Sequence, residues 1–313
     1  MGCGCYYKPK TTSRLILTRF GHALGFQPYE VIGTVIDRLE IAPNVVPANE
    51  APKEVLIYNH NESLRTPHAP DYIFLYIHRA PTVGGETPTS SSIELFQRAA
   101  ASIPDFVATL TSKGILNRVT YKTTPQFAGG STIFGQAFGT EILAAVDAAT
   151  RKVKVEFQLR RYNRGSHTTW EWTDNDGMLV VSHHLPLIRV QPITKLPVLL
   201  TWLAAFYKCY YAPGIPEARR KKASQQLYVD GTPIPEEYLE KLAEITDRIR
   251  VLDKWQRGDV LVLDNVAAQH GRQPWEGEQG DRAVFASLWD GGTPGKYEGS
   301  EGEWAQVVKA TKS

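Results

Sequence analysis

Apolar positions gather along several stretches into short runs rich in β-branched and aromatic residues, the pattern of a strand. "KEVLIYNHNESL" (53–64) and "DYIFLYIHRA" (71–80) carry it early in the chain, and "GDVLVLDN" (258–265) and "RAVFASLWD" (282–290) carry it near the end. Their β-branched and aromatic residues suit a pleated surface. "RLILTRF" (14–20) and "VKVEFQLRRY" (153–162) read the same way. Between these stretches the period becomes that of a helix. "SSIELFQRAAASI" (91–103) places Ile93, Leu95, Phe96 and Ala99 on one side, behind serines suited to capping. "FVATLTSKG" (106–114) stops at Gly114, and "PEEYLEKLAEITDRIRVLDKW" (235–255) repeats Tyr238, Leu242, Ile245 and Ile249 at helical spacing. Strands at both ends with helices between predict a mainly β fold with flanking helices, closed by pairing of chain-distant strands. Strand and helix do not alternate regularly and there is no Gly-rich phosphate loop, which argues against a doubly wound α/β sheet.

Composition narrows this picture without redirecting it. A chain of 313 residues can bury a large core, and no repeat or linker divides it, so 1–313 reads as one domain. Within it, 91–255 is expected to hold helical and β insertions. A net charge of +2 leaves no broad basic face for nucleic acid. The longest apolar run, "LPVLLTWLAAFY" (196–207), is too short to cross a bilayer, so no membrane partner is expected. Three cysteines (Cys3, Cys5 and Cys209) make no disulfide framework and fit a reducing, cytoplasmic setting. "MGCGCYYKPK" has no apolar signal region, and Tyr6 stands where an N-myristoylation signal has Ser or Thr. A flexible terminus over 1–13 is the expectation. The pattern sets no oligomeric state.

The candidate chemistry starts in "IYNHNESLR" (57–65). Residues two apart on a strand share a face, so His60 and Glu62 would converge on one point while Asn61 faces away. Two imidazoles and one carboxylate on one side of an ion leave three adjacent positions open, the arrangement of non-haem Fe(II) oxygenases. With eight His and 33 acidic residues in the chain, chance alone supplies about one His-x-acid pair, so the pair is not diagnostic by itself. Downstream, His270 in a small, polar loop offers a third neutral ligand. Arg282, twelve residues further, offers a cationic fork for a carboxylate.

This ordered set resembles the taurine dioxygenase/clavaminate synthase-like family of Fe(II)- and 2-oxoglutarate-dependent oxygenases. The resemblance rests on His60-x-Glu62, "GGETP" (84–88), "GDVLVLDN" (258–265), "QHGRQPW" (269–275) and Arg282. Weaker similarity runs through "WEWTDNDGMLVV" (170–181) and "LYVDGTPIPEEYL" (227–239), from Phe20 to Asp290. It implies a double-stranded β-helix, or jelly roll. It also implies Fe(II) on His60, Glu62 and His270, and 2-oxoglutarate held at its distal carboxylate by Arg282 and Thr87. O2 is the third reactant, and the substrate is a small molecule. By the same resemblance an intact Glu62 points to hydroxylation, desaturation or ring formation, because halogenating relatives replace this carboxylate with a small residue. Taurine dioxygenase has a second Arg four residues past its 2-oxoglutarate Arg. Here that position is Ala286, which argues against a sulfonate substrate held in that way. Only 59 residues precede His60, fewer than the family usually has. Hydroxylation of a protein side chain and metal binding without turnover are the alternative readings.

Several neighbours of the ligands are candidates for substrate or supporting contacts: Tyr58, Asn61 and Arg272, with Gln126 and Phe127 in "TPQFAGGSTIFGQAF" (124–138), the candidate lid. Arg272 is equally well read as a surface ion pair. His183–His184 has no carboxylate at strand spacing and reads as structural.

Overall fold

The computed structural model describes residues 15–29, 40–48, 51–64, 69–121, 138, 147–162, 168–173, 178–221 and 226–291. The expected terminus (1–13) and the candidate contacts Gln126 and Phe127 lie outside them.

Two antiparallel sheets carry the site. The first has five strands: β1 (Gln27–Pro28), β2 (Val46–Pro47), β4 (Tyr72–Arg79), β12 (Val260–Asp264) and β14 (Ala283–Asp290). They run in the order β1-β14-β4-β12, with β2 also on β14. The second sheet places β13 (Ala268–Arg272) between β3 (Ile57–His60) and β5 (Thr89–Ser91). Early strands pair with late ones in both sheets, and together they form the jelly roll expected from the sequence.

The first sheet is apolar on both faces for different reasons. Ile73, Leu75, Ile77, Leu263, Val284, Ala286 and Leu288 form one core, which meets β13 through Ala268. Phe74, Phe285 and Trp289 face the other way and pack with Leu17 of helix α1 (Ile16–Ala23). Gly21 of that helix lies against the Trp289 ring, with no room for a Cβ.

Helices back the second sheet. α2 (Ser92–Ser102) starts where β5 ends; Ser91 Oγ accepts from the Glu94 amide at 3.2 Å and caps it. α3 (Pro104–Lys113) opens on proline and closes at Gly114, whose φ of 64° favours glycine. Further on lie a four-stranded sheet, β11-β6-β8-β7, with β6 (Ile115–Tyr121), β7 (Thr168–Trp172), β8 (Leu179–Leu185) and β11 (Leu227–Tyr228), and helix α4 (Ala148–Tyr162) against it. The hairpin β9 (Ile188–Val190)–β10 (Pro197–Leu199) leads into α5 (Leu203–Tyr210). α6 (Glu236–Ile249) buries Leu239, Leu242, Ile245 and Ile249 in one core with Tyr58, Leu95, Phe106, Leu110 and Leu203. Each such side chain contributes about 1.5–3 kcal/mol on burial. Among the described residues no helix is long and apolar enough to cross a membrane.

Two stretches read as strands are helices. Residues 153–162 belong to α4, where Val155 and Leu159, four apart, fill the core with Leu179 and Val181, and Glu156 pairs with Arg160 at 2.6 Å. Residues 16–20 lie in α1, four residues per contact rather than two. The stretch 53–64 is also shorter as a strand than its pattern indicates, since β3 covers only Ile57–His60.

Candidate active site

The chain brings His60, Glu62 and His270 together. One donor atom from each lies within 4.8 Å of the others. Glu62 Oε2 stands 3.9 Å from His60 Nε2 and 3.5 Å from His270 Nε2, and the imidazole centroids are 4.7 Å apart. Among the described residues this is the one such group of three or more.

Each ligand is positioned by different means. His60 and His270 face each other in register across β3 and β13. His60 Nδ1 lies 2.9 Å from the Tyr58 carbonyl. A carbonyl only accepts, so Nδ1 carries the proton and Nε2 presents its lone pair to the site. His270 sits inside β13 rather than in the polar loop expected, paired with Thr89 on its other side. Gly271 permits this approach: a Cβ there would lie 2.5 Å from the Ile57 carbonyl oxygen. Glu62 lies beyond the end of β3, in a turn where Ser63 takes φ 55°. Its convergence with His60 therefore owes nothing to the pleat.

The donor set fits a divalent iron. Two neutral imidazole nitrogens and one carboxylate suit a borderline metal with open positions. Separations of 3.5–3.9 Å exceed hydrogen-bond range and are closed by slight contraction onto an ion about 2.0–2.2 Å from each ligand. The three side chains keep 12–24% exposure, so one side remains approachable.

Arg282 and Thr87 also meet. Arg282 is buried; its Nε donates to the Gly85 carbonyl at 2.8 Å and its Nη2 to Thr87 Oγ1 at 3.2 Å. Burial, and after it the nearby Arg272, pull the guanidinium down to about 10, against the pull of Glu86. Gly84 and Gly85 have φ of 77° and 73°, and a Cβ on Gly85 would lie 3.2 Å from Arg282 Cδ. The double glycine lets the turn close over the arginine. Residues 85–88 then run alongside β13: Gly271 N–H donates to the Pro88 carbonyl and Gln273 N–H to the Glu86 carbonyl.

Trp255 was not legible as part of this pocket. Its Nε1 donates to Thr87 Oγ1 at 2.9 Å. It reaches there because Val251 pairs with Thr89 on both sides of the peptide. With Trp255 and Arg282 as donors, both Thr87 lone pairs are engaged and its hydroxyl proton is directed elsewhere. Asn265 was missed too, although it closes the quoted "GDVLVLDN"; it bonds both the N–H and the carbonyl of Glu62.

Other candidates have different places. Tyr58 turns away from the metal face: its hydroxyl lies 2.9 Å from Asp247 Oδ1 and 3.0 Å from the Ala243 carbonyl of α6. Burial first, then Asp247, raise its ionisation far above the usual phenol range. Asn61 is also buried behind the strand, donating to the Asn265 and Ala268 carbonyls and accepting from the Thr201 amide. Neither side chain enters the cluster: Tyr58 packs in the core with α6, and Asn61, past the end of β3, is held by Asn265, Ala268 and Thr201. Arg272 is not at the surface. It is buried over the Trp275 ring and donates to the carbonyls of Ala51, Pro52 and Val55, tying the approach to β3 onto β13. His183 is structural: it is buried beside Thr168, and burial, followed by His184, lowers its pKa to about 4. Of the candidate lid only Phe138 is described, packed on Tyr121.

Comparison with known proteins places the chain among relatives of one family. The chain is 26% identical to a clavaminate synthase-like protein of Arabidopsis thaliana over 85% of this chain and 74% of that one. It is 27% identical to the dapdiamide synthesis protein DdaC of Enterobacter agglomerans, over 81% and 71%. A solved taurine dioxygenase from Burkholderia xenovorans aligns at a TM-score of 0.43 and 16% identity, over 86% of this chain and 69% of that one. The "Taurine catabolism dioxygenase TauD, TfdA family" matches residues 17–289. The chain belongs to that family of non-haem dioxygenases dependent on Fe(II), 2-oxoglutarate and O2.

Proposed function

We propose that the protein oxidises an unactivated C–H bond of a small, amino-acid-like or specialised-metabolite substrate by hydroxylation, desaturation or oxidative cyclisation. In this reading His60, Glu62 and His270 hold Fe(II), and Arg282 and Thr87 hold the distal carboxylate of 2-oxoglutarate. The observation that carries it is the meeting of two separately built parts, a three-ligand cluster and a buried arginine–threonine pair, with Thr87 two residues before the Thr89 that pairs with His270. When bound, the iron and 2-oxoglutarate supply the oxidising equivalents from O2, with succinate and CO2 as co-products.

The chain's own residues bind, orient and exclude water. Thr89 faces His270 in register, and Thr87 is two residues upstream, roughly 7 Å in extended chain. That is the reach of a five-carbon dicarboxylate lying between the cluster and Arg282. Arg282 contributes charge; Thr87, its lone pairs engaged by Trp255 and Arg282, donates its hydroxyl proton to the same carboxylate. Ligands on one side only leave the opposite side for co-substrate, and the apolar core around Leu75, Leu263 and Ala286 lies behind. Ala286 offers no cation for a sulfonate. The relative named for dapdiamide synthesis supports a specialised-metabolite substrate. A single oxygenase domain in the cytoplasm completes the reading, in keeping with sparse cysteine.

The test is succinate formation from 2-oxoglutarate with Fe(II) and ascorbate, alone and with a panel of amino acids and their derivatives. His270→Ala is expected to abolish both metal binding and succinate release. Retained turnover in that variant would sink the assignment.

A further inference from the structure

The carboxylate of the cluster stands where the sheet gives it no support. β3 ends at His60, and Glu62 begins a turn. A side chain takes the place of the missing strand. Asn265, in the turn between β12 and β13, accepts from the Glu62 N–H through Oδ1 at 2.7 Å. Through Nδ2 it donates to the Glu62 carbonyl at 3.1 Å and to the Pro70 carbonyl at 2.9 Å. One amide thus supplies a donor and an acceptor to the same residue, as a ladder neighbour would.

Asn265 is itself fixed. It is 2% exposed, its N–H donates to the Asp71 carbonyl at 2.8 Å, and its own carbonyl accepts from Asn61 Nδ2 at 2.7 Å. Asn61 lies between the two ligands in sequence. Its Oδ1 accepts from the Thr201 amide at 2.9 Å and from Gln269 Nε2 at 3.3 Å. Gln269, beside His270, also donates to the Thr201 carbonyl at 3.0 Å and accepts from Ser90 Oγ at 3.1 Å. The residues that alternate with the ligands therefore form one buried amide chain on the reverse of the strands. Such a closed polar set specifies a single arrangement, because any other leaves buried groups unpaired.

We propose that Asn265 is the positioning residue for the carboxylate ligand: its amide, backed by Asn61 and Gln269, fixes the Glu62 main chain so that the carboxylate meets both imidazoles before metal arrives. This role rests on the assignment of His60, Glu62 and His270 as the metal site. Asn265 touches neither metal nor substrate and acts through Glu62.

The experiment titrates the full chain with Co(II) alone, in the wild-type and Glu62→Ala backgrounds, with and without Asn265→Ala. Loss of a group that orients a metal ligand weakens affinity about 10- to 100-fold. That loss is expected in the wild-type background and is absent when Glu62 is already alanine, because the two residues act as one unit. In the metal-free protein, hydrogen exchange at the Glu62 amide should accelerate in Asn265→Ala. Should that variant not fold, Asn265→Asp, which keeps the acceptor for the Glu62 N–H and loses the donor, reads in the same direction. Unchanged Co(II) affinity in a folded variant overturns the role. So does an equal loss in both backgrounds, which marks a general structural effect. A wild-type protein that binds no Co(II) overturns the metal-site assignment and this role with it.

Discussion

Arg282→Met separates a co-substrate anchor from a structural cation. Arg282 is buried, and burial together with Arg272 pulls its guanidinium down to about 10, Glu86 opposing. At neutral pH it remains charged, but holding that charge costs about 3 kcal/mol relative to the unfolded chain. The unfolded chain keeps this proton to higher pH than the folded chain, which holds it only to about 10. The cost is therefore full below about pH 10 and fades as pH rises above it. Methionine removes it and retains much of the side-chain volume. The loss on the other side includes the hydrogen bonds to Gly85 and Thr87, of about 1 kcal/mol each. The terms nearly cancel, so the metal-free variant should keep its unfolding free energy within about 1 kcal/mol. Binding is a different matter. A buried carboxylate deprived of its cation loses about 2–5 kcal/mol, so the KM for 2-oxoglutarate should rise roughly 30- to 5,000-fold. Denaturant unfolding and succinate formation against 2-oxoglutarate concentration measure the two quantities. A KM within threefold of wild type, or a stability loss of about 3 kcal/mol or more, refutes the reasoning.

Two further substitutions test the second sheet. Tyr58→Phe removes the bonds to Asp247 and Ala243 and should cost about 1–2 kcal/mol in unfolding, with Co(II) affinity unchanged; a KM or affinity defect instead would return Tyr58 to the site. Gly271→Ala drives a methyl to 2.5 Å from the Ile57 carbonyl, forcing β3 from β13, and should cost about 1–3 kcal/mol and weaken Co(II) binding; an unaltered melting temperature and affinity would show that the strands have room to spare.

The ligand residues were legible because their chemistry survives any error in local structure. His60, Glu62, His270 and Arg282 were identified from residue type, order and motif context, although the strand meant to carry Glu62 stops at His60. The late strands β12 and β14 were legible for a physical reason, short apolar runs rich in β-branched and aromatic residues. α4 was not. Val153, Val155 and Phe157 alternate as a strand would, while the choice is made by Val155 and Leu159 packing on Leu179 and Val181, which the local sequence does not contain. α1 is decided similarly, by the contact of Gly21 with Trp289 from the far end of the chain. Tyr58 and Asn61 were read as site residues through proximity in sequence, yet hydrogen bonds across the fold, to Asp247 and to Asn265 and Thr201, hold them elsewhere. Trp255 and Asn265 act through single hydrogen bonds across the fold, and no periodicity announces those.

The pairing of β3 with β13 also sets a schedule. His60 and Glu62 leave the ribosome early, whereas His270 and Arg282 are almost the last described residues to emerge. A nascent chain that has already made its helices holds two potential ligands, no third, and no anchor for the co-substrate carboxylate. Sheets closed by such distant strands are slow to form, since loop closure precedes any reward. On the proposed assignment, a full set of metal ligands would be in place only once β13 has paired with β3.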